Sequence, residues 1–124
     1  MDDFHAKEPI FVQIRQRLIE MILRHQVEEG QPLPSVRQIA GELSVNPLTV
    51  SKAFEALVEI GVVEKRRGLG MFVTPGARMA LLAHERNKFL CEDWPRIAAR
   101  IRALELDAEA LVGAIDASNR GDVR

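Results

Sequence analysis

Two short amphipathic patterns stand almost end to end within residues 33–73, and they restrict the fold more than any other feature of the chain. Both repeat at the three- and four-residue spacing of a helix that buries one face. The buried face of the first helix is predicted to consist of Val36, Ile39, Ala40 and Leu43. That of the second is predicted to consist of Val50, Ala53, Phe54, Leu57 and Ile60. Because only Ser44 and Val45 connect them, the two helices are expected to brace each other across a tight turn.

The ends of these helices carry residues that commonly mark helix ends. Ser35 is a suitable N-cap for the first helix, since its hydroxyl can accept a hydrogen bond from a free amide of the first turn. Asn46 is a suitable N-cap for the second helix, and Pro47 fits the first helical position because that position needs no N–H donor. Gly61 suits the C-terminal end of the second helix.

A hairpin is predicted directly after the second helix. Residues 62–66 and 71–73 have the composition of two short strands, and the loop between them contains Gly68 and Gly70. Glycine adopts positive φ without strain, so this loop is expected to be tight and to protrude. The order of elements predicts a winged helix-turn-helix.

The segments on either side of this stretch are predicted to be helical. An amphipathic helix precedes it and ends near His25, and residues 27–32 are predicted to form a loop by their glycine and proline content. The C-terminal region keeps its apolar positions in one helical phase from Met79 across Pro95. This phase favours one helix kinked at the proline, and the alternative is a new helix capped by Asp93.

Composition agrees with a small folded protein that is mostly α with a small β-hairpin wing. The chain has 124 residues, of which 47% are hydrophobic and 28% charged, enough for one domain or a small domain with an appendage. We therefore expect a winged helix-turn-helix over residues 9–75, followed by a short C-terminal helical region over residues 77–118. The net charge of −1 argues against a non-specific DNA-coating protein, which would need many phosphate contacts.

Neither a membrane span nor a disulfide framework is indicated by the sequence. No apolar run approaches the roughly 18 to 20 residues that cross a bilayer. The single cysteine, Cys91, cannot form an intrachain disulfide, which fits a reducing compartment. The expected location is the cytoplasm, without membrane association.

The residues around the second helix suit a DNA groove. A major groove is about 12 Å wide and admits one α-helix, whose first turn can reach the base edges. Small or hydrogen-bonding residues are needed at the start of that helix, and basic residues on the wing that follows. The candidate DNA-contacting residues are Ser35, Arg37, Asn46, Leu48, Thr49, Ser51, Lys52, Arg66, Arg67, Gly68 and Gly70.

Several of these residues also have a purely structural interpretation. Asn46 could act only as a helix cap. Leu48 contacts a thymine methyl if the helical phase is right, and belongs to the core if it is not. The basic run Lys65, Arg66 and Arg67 could be a solvated edge-strand run that opposes aggregation. Beside a Gly-x-Gly tip, a wing over the phosphate backbone or minor groove is the favoured interpretation.

These motifs resemble the GntR family of bacterial transcription regulators over about residues 9 to 74. The resemblance rests on Leu33-Pro-Ser-Val-Arg37, Ile39-Ala40, Val45-Asn-Pro-Leu-Thr-Val50, Ala53, Leu57, Gly61 and Gly68-Leu-Gly-Met-Phe-Val73. The Val-Asn-Pro-x-Thr-Val form and the short helical C-terminus look most like the YtrA subfamily. The resemblance implies a dimer that binds an inverted-repeat operator in double-stranded DNA. It also implies repression, often of a neighbouring transporter operon and of the regulator's own gene.

The resemblance also assigns roles by position. Arg37 matches the arginine of the family's Pro-Ser-x-Arg motif, which contacts DNA. Residues 46–49 match the start of the recognition helix. Arg67 and Gly68 match the wing tip that reaches the minor groove.

The chain departs from the family pattern at a few of these positions. Many relatives have Ser-Arg where this chain has Asn46-Pro47, and an arginine where it has Ser51. Met71 replaces the more usual threonine after the second wing glycine. The contacts of the absent arginines are not carried over, so the operator sequence is expected to differ.

The C-terminal region is expected to mediate dimerisation. About 50 residues follow Val73, too few for the metabolite-binding domain of the larger subfamilies. They carry more apolar surface than a short appendage can bury alone, so a homodimer that buries this surface is expected. Its two recognition helices would then bind two half-sites of the operator. The candidate dimerisation residues are Leu82, Phe89, Leu90, Trp94, Ile97, Ile101 and Leu104. The sequence leaves open whether a small-molecule effector exists.

Three other functions fit the sequence less well than DNA binding. An enzyme is not indicated, since the histidines lack a surrounding nucleophile or carboxylate arrangement, and no cofactor motif is expected from Gly68-x-Gly70 alone. A winged-helix protein-interaction module would be favoured by an acidic wing, but this wing is basic. A metal- or redox-responsive repressor could use His84 and Cys91, which lie two helical turns apart and would need a partner chain to complete a site.

Overall fold

The computed structural model describes residues 8–122, with side chains as far as Ser118. Its helices and strands follow one another as α1 Ile10–Leu23, α2 Val36–Leu43, α3 Pro47–Glu59, β1 Val63–Arg66, β2 Gly70–Val73, α4 Ala77–Lys88, a π-helical turn Phe89–Asp93, α5 Trp94–Ala103 and α6 Ala108–Asp122. By their internal contacts the residues divide into two compact units, one up to His84 and one from Glu85 onward. The expected functional division, 9–75 and 77–118, remains a prediction.

The core of the first unit lies between α1, α2 and α3. From α1, the four-residue repeat Ile14, Leu18 and Ile22 faces inward, as its periodicity predicts. The α3 residues Val50, Ala53, Phe54 and Leu57 are fully buried. Ile60 was predicted on the same face but is 57% exposed, because the helix ends at Glu59 and Ile60 occupies its C-cap.

The turn between α2 and α3 is fixed by two side-chain caps and one left-handed residue. The Gln38 amide donates to Ser35 Oγ at 3.0 Å, and the Leu48 amide donates to Asn46 Oδ1 at 2.8 Å. Both predicted N-caps are therefore confirmed. Ser44 closes α2 in the left-handed region with φ 54°, which turns the chain directly into α3.

The hairpin wing pairs β1 with β2 in antiparallel register, from Val63 opposite Val73 to Arg66 opposite Gly70. Residues 30–33 lie along the other side of β2. The Gly30 amide donates to the Val73 carbonyl at 2.8 Å, and the Leu33 amide donates to the Met71 carbonyl at 2.8 Å. The segment before α2 therefore pairs with β2 through backbone hydrogen bonds, although its glycine and proline content predicts a loop.

Within the first unit, the start of α4 packs through residues outside the apolar phase that begins at Met79. Ala77 and Leu81, four residues apart, are buried, whereas Met79 is 71% exposed. Glu29 accepts hydrogen bonds from the amides of Gly76, at 2.9 Å, and Arg78, at 3.4 Å. Arg78 Nε in turn donates to the carbonyl of Leu23 at 3.0 Å. These bonds tie the beginning of α4 to the end of α1 and select the buried face.

In the second unit the helical backbone continues through the residues before Pro95. Lys88, Asp93 and Trp94 all have right-handed helical φ and ψ. Trp94 donates its amide to the carbonyl of Phe89, five residues back, which is the bond of a π-helical turn. Asp93 therefore does not cap a new helix. The chain then turns at Glu105, φ 55°, and the Glu109 amide donates to Asp107 Oδ1 at 3.1 Å at the start of α6.

Candidate nucleic-acid interface

The first turn of α3 projects an apolar side chain into solvent beside a polar cap. Leu48 is 77% exposed, while Val50, two residues later, is fully buried. The predicted helical phase is therefore right, and the interpretation of Leu48 as a core residue is wrong. Thr49 and Ser51 are half-buried at the edges of the same surface. A rigid helix thus presents a small mixed surface of methyl groups and hydroxyls.

Asn46 has a side chain whose two ends are used differently. Its Oδ1 accepts the Leu48 amide at 2.8 Å, so the cap is made by the oxygen alone. The residue is exposed, and its Nδ2 group has two N–H donors. Because the cap uses the oxygen alone, the exposed Nδ2 group can donate to an approaching acceptor.

The start of α2 places a cation next to this surface. Arg37 is exposed in the first turn of α2, two residues after the capping residue Ser35. A shallow hollow lined by apolar side chains connects Arg37 with the start of α3. Its lining residues are Val36, Arg37, Ala40, Gly41, Val45 and Pro47. Arg37 and the α3 N-terminus therefore lie along one continuous surface.

Lys52 is also exposed, but its ammonium group has an internal partner. Its Nζ lies 4.2 Å from the centroid of the Phe11 ring of α1. This is a cation–π contact, which stabilises an exposed pair by about 0.5–1 kcal/mol. Lys52 in the free protein is thus directed along α3 toward α1 rather than held at the helix start.

The wing separates its basic residues into two groups. Arg66 is held back against the strands, because its Nε lies 2.8 Å from Glu64 Oε2 and its guanidinium carbon 4.2 Å from the Phe72 ring centroid. Lys65 and Arg67 are exposed. Of the predicted wing contacts, Arg67 and the glycines lie at the tip, whereas Arg66 lies on the strand below it.

Leu69 is a tip residue that the sequence pattern did not single out. It is 70% exposed and stands between Gly68, φ 77°, and Gly70, φ 116°. Its amide donates to the carbonyl of Arg66 at 2.8 Å, which closes the turn. Its position between two glycines could have indicated an exposed tip residue in the sequence. A leucine is more commonly expected in a hydrophobic core.

The second unit carries many large apolar side chains at its surface. Trp94 is 45% exposed and Ile101 is half-buried, as is Leu82 of the predicted dimerisation set, which lies in the first unit. The other members of that set are exposed, namely Phe89, Leu90, Ile97 and Leu104. Exposed apolar area of this extent commonly marks a protein–protein interface.

The candidate metal ligands His84 and Cys91 lie within the part of the chain that the structure describes. Within 8–122, no group of three or more His, Cys, Asp or Glu side chains is arranged to hold a metal ion. Cys91 is exposed, and its thiol donates to Asn87 Oδ1 at 3.6 Å.

No helix in the described part of the chain is long and apolar enough to span a bilayer.

Comparison with known proteins identifies the family. Residues 11–73 match the model of the bacterial regulatory proteins of the gntR family. The chain belongs to the GntR family. Its winged helix is accordingly a DNA-binding domain, and the protein is a transcription regulator similar to YtrA.

Three relatives show how far the similarity extends. The HTH-type transcriptional regulator YhcF of Bacillus subtilis is 28% identical over 120 residues, which cover 97% of this chain and 98% of YhcF. The HTH-type transcriptional repressor YtrA of the same organism is 38% identical over 80 residues, 64% of this chain and 62% of YtrA. The regulator Rv1152 of Mycobacterium tuberculosis is 34% identical over 67% of this chain and 72% of its own length. These relatives are transcription regulators rather than enzymes.

Solved structures confirm the predicted fold class. A GntR family regulator from Listeria monocytogenes has a TM-score of 0.67 at 25% identity and covers 94% of this chain and 97% of its own. YtrA from Sulfolobus acidocaldarius has a TM-score of 0.52 at 32% identity, over 69% of this chain and 90% of its own. The DNA-binding domain of AraR, solved with its operator ORR3, shares the fold over 53% of this chain and 80% of its own, with a TM-score of 0.52 at 24% identity.

Proposed function

We propose that this protein is a sequence-specific transcriptional repressor that binds an inverted-repeat operator as a homodimer. The observation that carries the proposal is the start of α3, where exposed groups able to touch base edges stand on a helix whose inner face is fully buried. YtrA and NagR of Bacillus subtilis, both similar to this chain, are named repressors, which supports repression over activation. The site of action is the cytoplasm, where a bacterial chromosome lies. A neighbouring transporter operon and the regulator's own gene, as targets, rest on the family resemblance alone.

In this proposal the first turn of α3 enters the major groove. Leu48 contacts a thymine methyl, because an exposed leucine side chain gains by excluding water from an apolar group on the groove floor. The Asn46 amide nitrogen donates to a base acceptor or a phosphate, since its oxygen is already engaged as the cap. Thr49 and Ser51 donate from the flanks of the same turn.

Two cations position the protein on the phosphate backbone. Arg37 projects from the first turn of α2 and Arg67 from the wing tip, and in our proposal each binds a phosphate of the operator. Lys52 and Arg66 contribute less in our proposal, because each would first have to leave an aromatic ring at 4.2 Å. So few phosphate contacts give one protomer modest affinity, which favours a dimer on two half-sites.

The DNA-contact proposal is tested with Arg37→Ala and Thr49→Ala. Each is expected to weaken binding to the operator by about 1–3 kcal/mol. Operators would first be selected from random DNA, and affinities measured by fluorescence anisotropy at one salt concentration. Gln38→Ala is the matched control, since Gln38 is exposed in the same turn of α2. Parental affinity in both test variants, as folded dimers, would refute the proposed DNA contacts.

The dimer proposal is best tested by a substitution in the full chain. Truncation after residue 75 would remove Ala77 and Leu81 from the core of the first unit and confuse folding with assembly. Trp94→Glu places a charge on the proposed interface and should give a monomer in sedimentation velocity, with weaker operator binding. Ile10→Glu is the control, because Ile10 is an exposed residue at the start of α1, where a carboxylate is tolerated. A Trp94→Glu protein with unchanged mass would exclude this interface.

A further inference from the structure

The wing tip is constructed so that one apolar side chain is displayed at its end. Gly68 and Gly70 both have positive φ, and the Leu69 amide closes the turn onto the Arg66 carbonyl at 2.8 Å. Neither glycine has a side chain that could shield its neighbour. Leu69 is consequently 70% exposed at the end of a narrow two-stranded projection.

The rest of the hairpin shows that this exposure is particular to the tip. Val63 and Val73, opposite each other at its base, are buried in the core. Arg66 is folded back over Phe72, while Arg67 is exposed in the turn itself. The end of the wing therefore offers a leucine flanked by an available cation, a combination suited to an apolar surface bordered by phosphates.

We propose that Leu69 reads the floor of the operator's minor groove and selects A·T over G·C base pairs there. The inference rests on the proposed function, in which the wing contacts DNA. An A·T pair presents only acceptors to the minor groove, whereas a G·C pair adds the 2-amino group of guanine. A leucine pressed on that group would remove its water and offer no hydrogen-bond acceptor, which is unfavourable. No such donor stands in the floor at an A·T pair.

The neighbouring cation acts in the same direction. Minor grooves in A·T-rich tracts are narrow and have an enhanced negative potential, which attracts an inserted arginine. Arg67 stands two residues from Leu69 and is exposed. The tip is slim because glycines flank the leucine, and this suits a groove about 6 Å wide better than the major groove, which α3 occupies. Leucine on the floor and arginine along the rim together favour the same DNA sequence.

The test uses inosine to separate the two grooves. An inosine·cytosine pair lacks the 2-amino group and so resembles A·T in the minor groove, while it resembles G·C in the major groove. The probes are the selected operator and two versions in which the A·T pairs outside the recognition-helix contacts are replaced by G·C or by inosine·cytosine. We expect the full-chain protein to bind the inosine version within about twofold of the parent and the G·C version about tenfold more weakly.

The variants then assign the discrimination to Leu69. Leu69→Ala should bring the A·T and G·C versions to within about threefold of each other, and Leu69→Met, which keeps an apolar tip, should retain the tenfold ratio. Neither change alters charge, so the dependence of affinity on salt should stay the same. The proposal is overturned if Leu69→Ala retains the full ratio, or if inosine weakens binding as much as guanine does. Failure of the parent protein to bind any selected DNA would instead refute the proposed function.

Discussion

Replacing Asn46 by aspartate separates the two roles proposed for this residue, because the change is isosteric and alters only one side of the amide. Asn46 Oδ1 accepts the Leu48 amide at 2.8 Å, and aspartate keeps an oxygen in that position. The cap is therefore retained, and a carboxylate at a helix N-terminus gains about 0.3–1 kcal/mol from the helix dipole. The free energy of unfolding is expected to stay the same or to rise by that amount.

DNA binding should respond to Asn46→Asp in the opposite direction. The substitution turns the Nδ2 donor into a charged acceptor, so one hydrogen bond to a phosphate or base is lost, which costs about 1.5–3 kcal/mol where the partner is charged. A new carboxylate near a phosphate adds repulsion of about 1 kcal/mol or more at 4 Å. The combined loss is at least about 2 kcal/mol, or roughly thirtyfold in affinity.

The assay pairs chemical denaturation followed by circular dichroism with operator binding followed by fluorescence anisotropy. Asn46→Ser is the control, because serine keeps a cap without a charge and should lose less affinity than aspartate. A stable Asn46→Asp dimer that bound operator as tightly as the parent would show that Asn46 only caps α3. The assignment of its amide nitrogen to DNA would then be wrong.

Three further predictions concern glycines, a helix cap and the wing. Gly41→Ala should raise the free energy of unfolding by up to about 1 kcal/mol, since Gly41 is in a helix and a Cβ there meets no atom within 4 Å. Gly61→Ala should lower the free energy of unfolding by about 1 kcal/mol, because the φ of Gly61 is +84°. Both changes are measured by chemical denaturation. Glu29→Ala removes the acceptor at the start of α4 and should lower the unfolding free energy by about 1 kcal/mol, with a lower melting temperature as the readout. Arg67→Ala should reduce the slope of log affinity against log salt by about 0.9, and equal slopes in Arg66→Ala and Arg67→Ala would contradict the separation of the two arginines.

The parts of the fold that were predictable from the sequence depend on local interactions. The caps at Ser35 and Asn46 are bonds to amides two or three residues ahead, and their residue types alone indicate them. The positive φ of Gly61 and the wing glycines follows from the same kind of local rule. The phase of α3 was predictable because a period of three and four residues holds over its whole length, and this placed Leu48 on the outside.

The parts that were not predictable depend on contacts distant in the chain. Residues 30–33 read as a loop by composition, and only the position of β2 gives their amides and carbonyls partners. The sequence of α4 alone does not show whether Met79 or Leu81 faces the core of the first unit. The bond from Arg78 to the Leu23 carbonyl spans more than 50 residues of sequence, and no local pattern indicates it.

In the candidate site, too, the positions of the cations were predictable from the sequence but their partners were not. Lys52 and Arg66 have the charge and exposure pattern of DNA contacts in the sequence, but in the fold each lies 4.2 Å from an aromatic ring. Phe11 belongs to another helix, and Phe72 to the opposite strand, so neither pairing is visible from spacing alone. The exposed cations at the proposed surface are then Arg37 at the start of α2 and Lys65 and Arg67 on the wing, together with the two exposed leucines at positions 48 and 69. With so few cations to bind the DNA backbone, discrimination among sequences should depend on methyl contacts and groove shape, and in our proposal the second protomer supplies the remaining affinity.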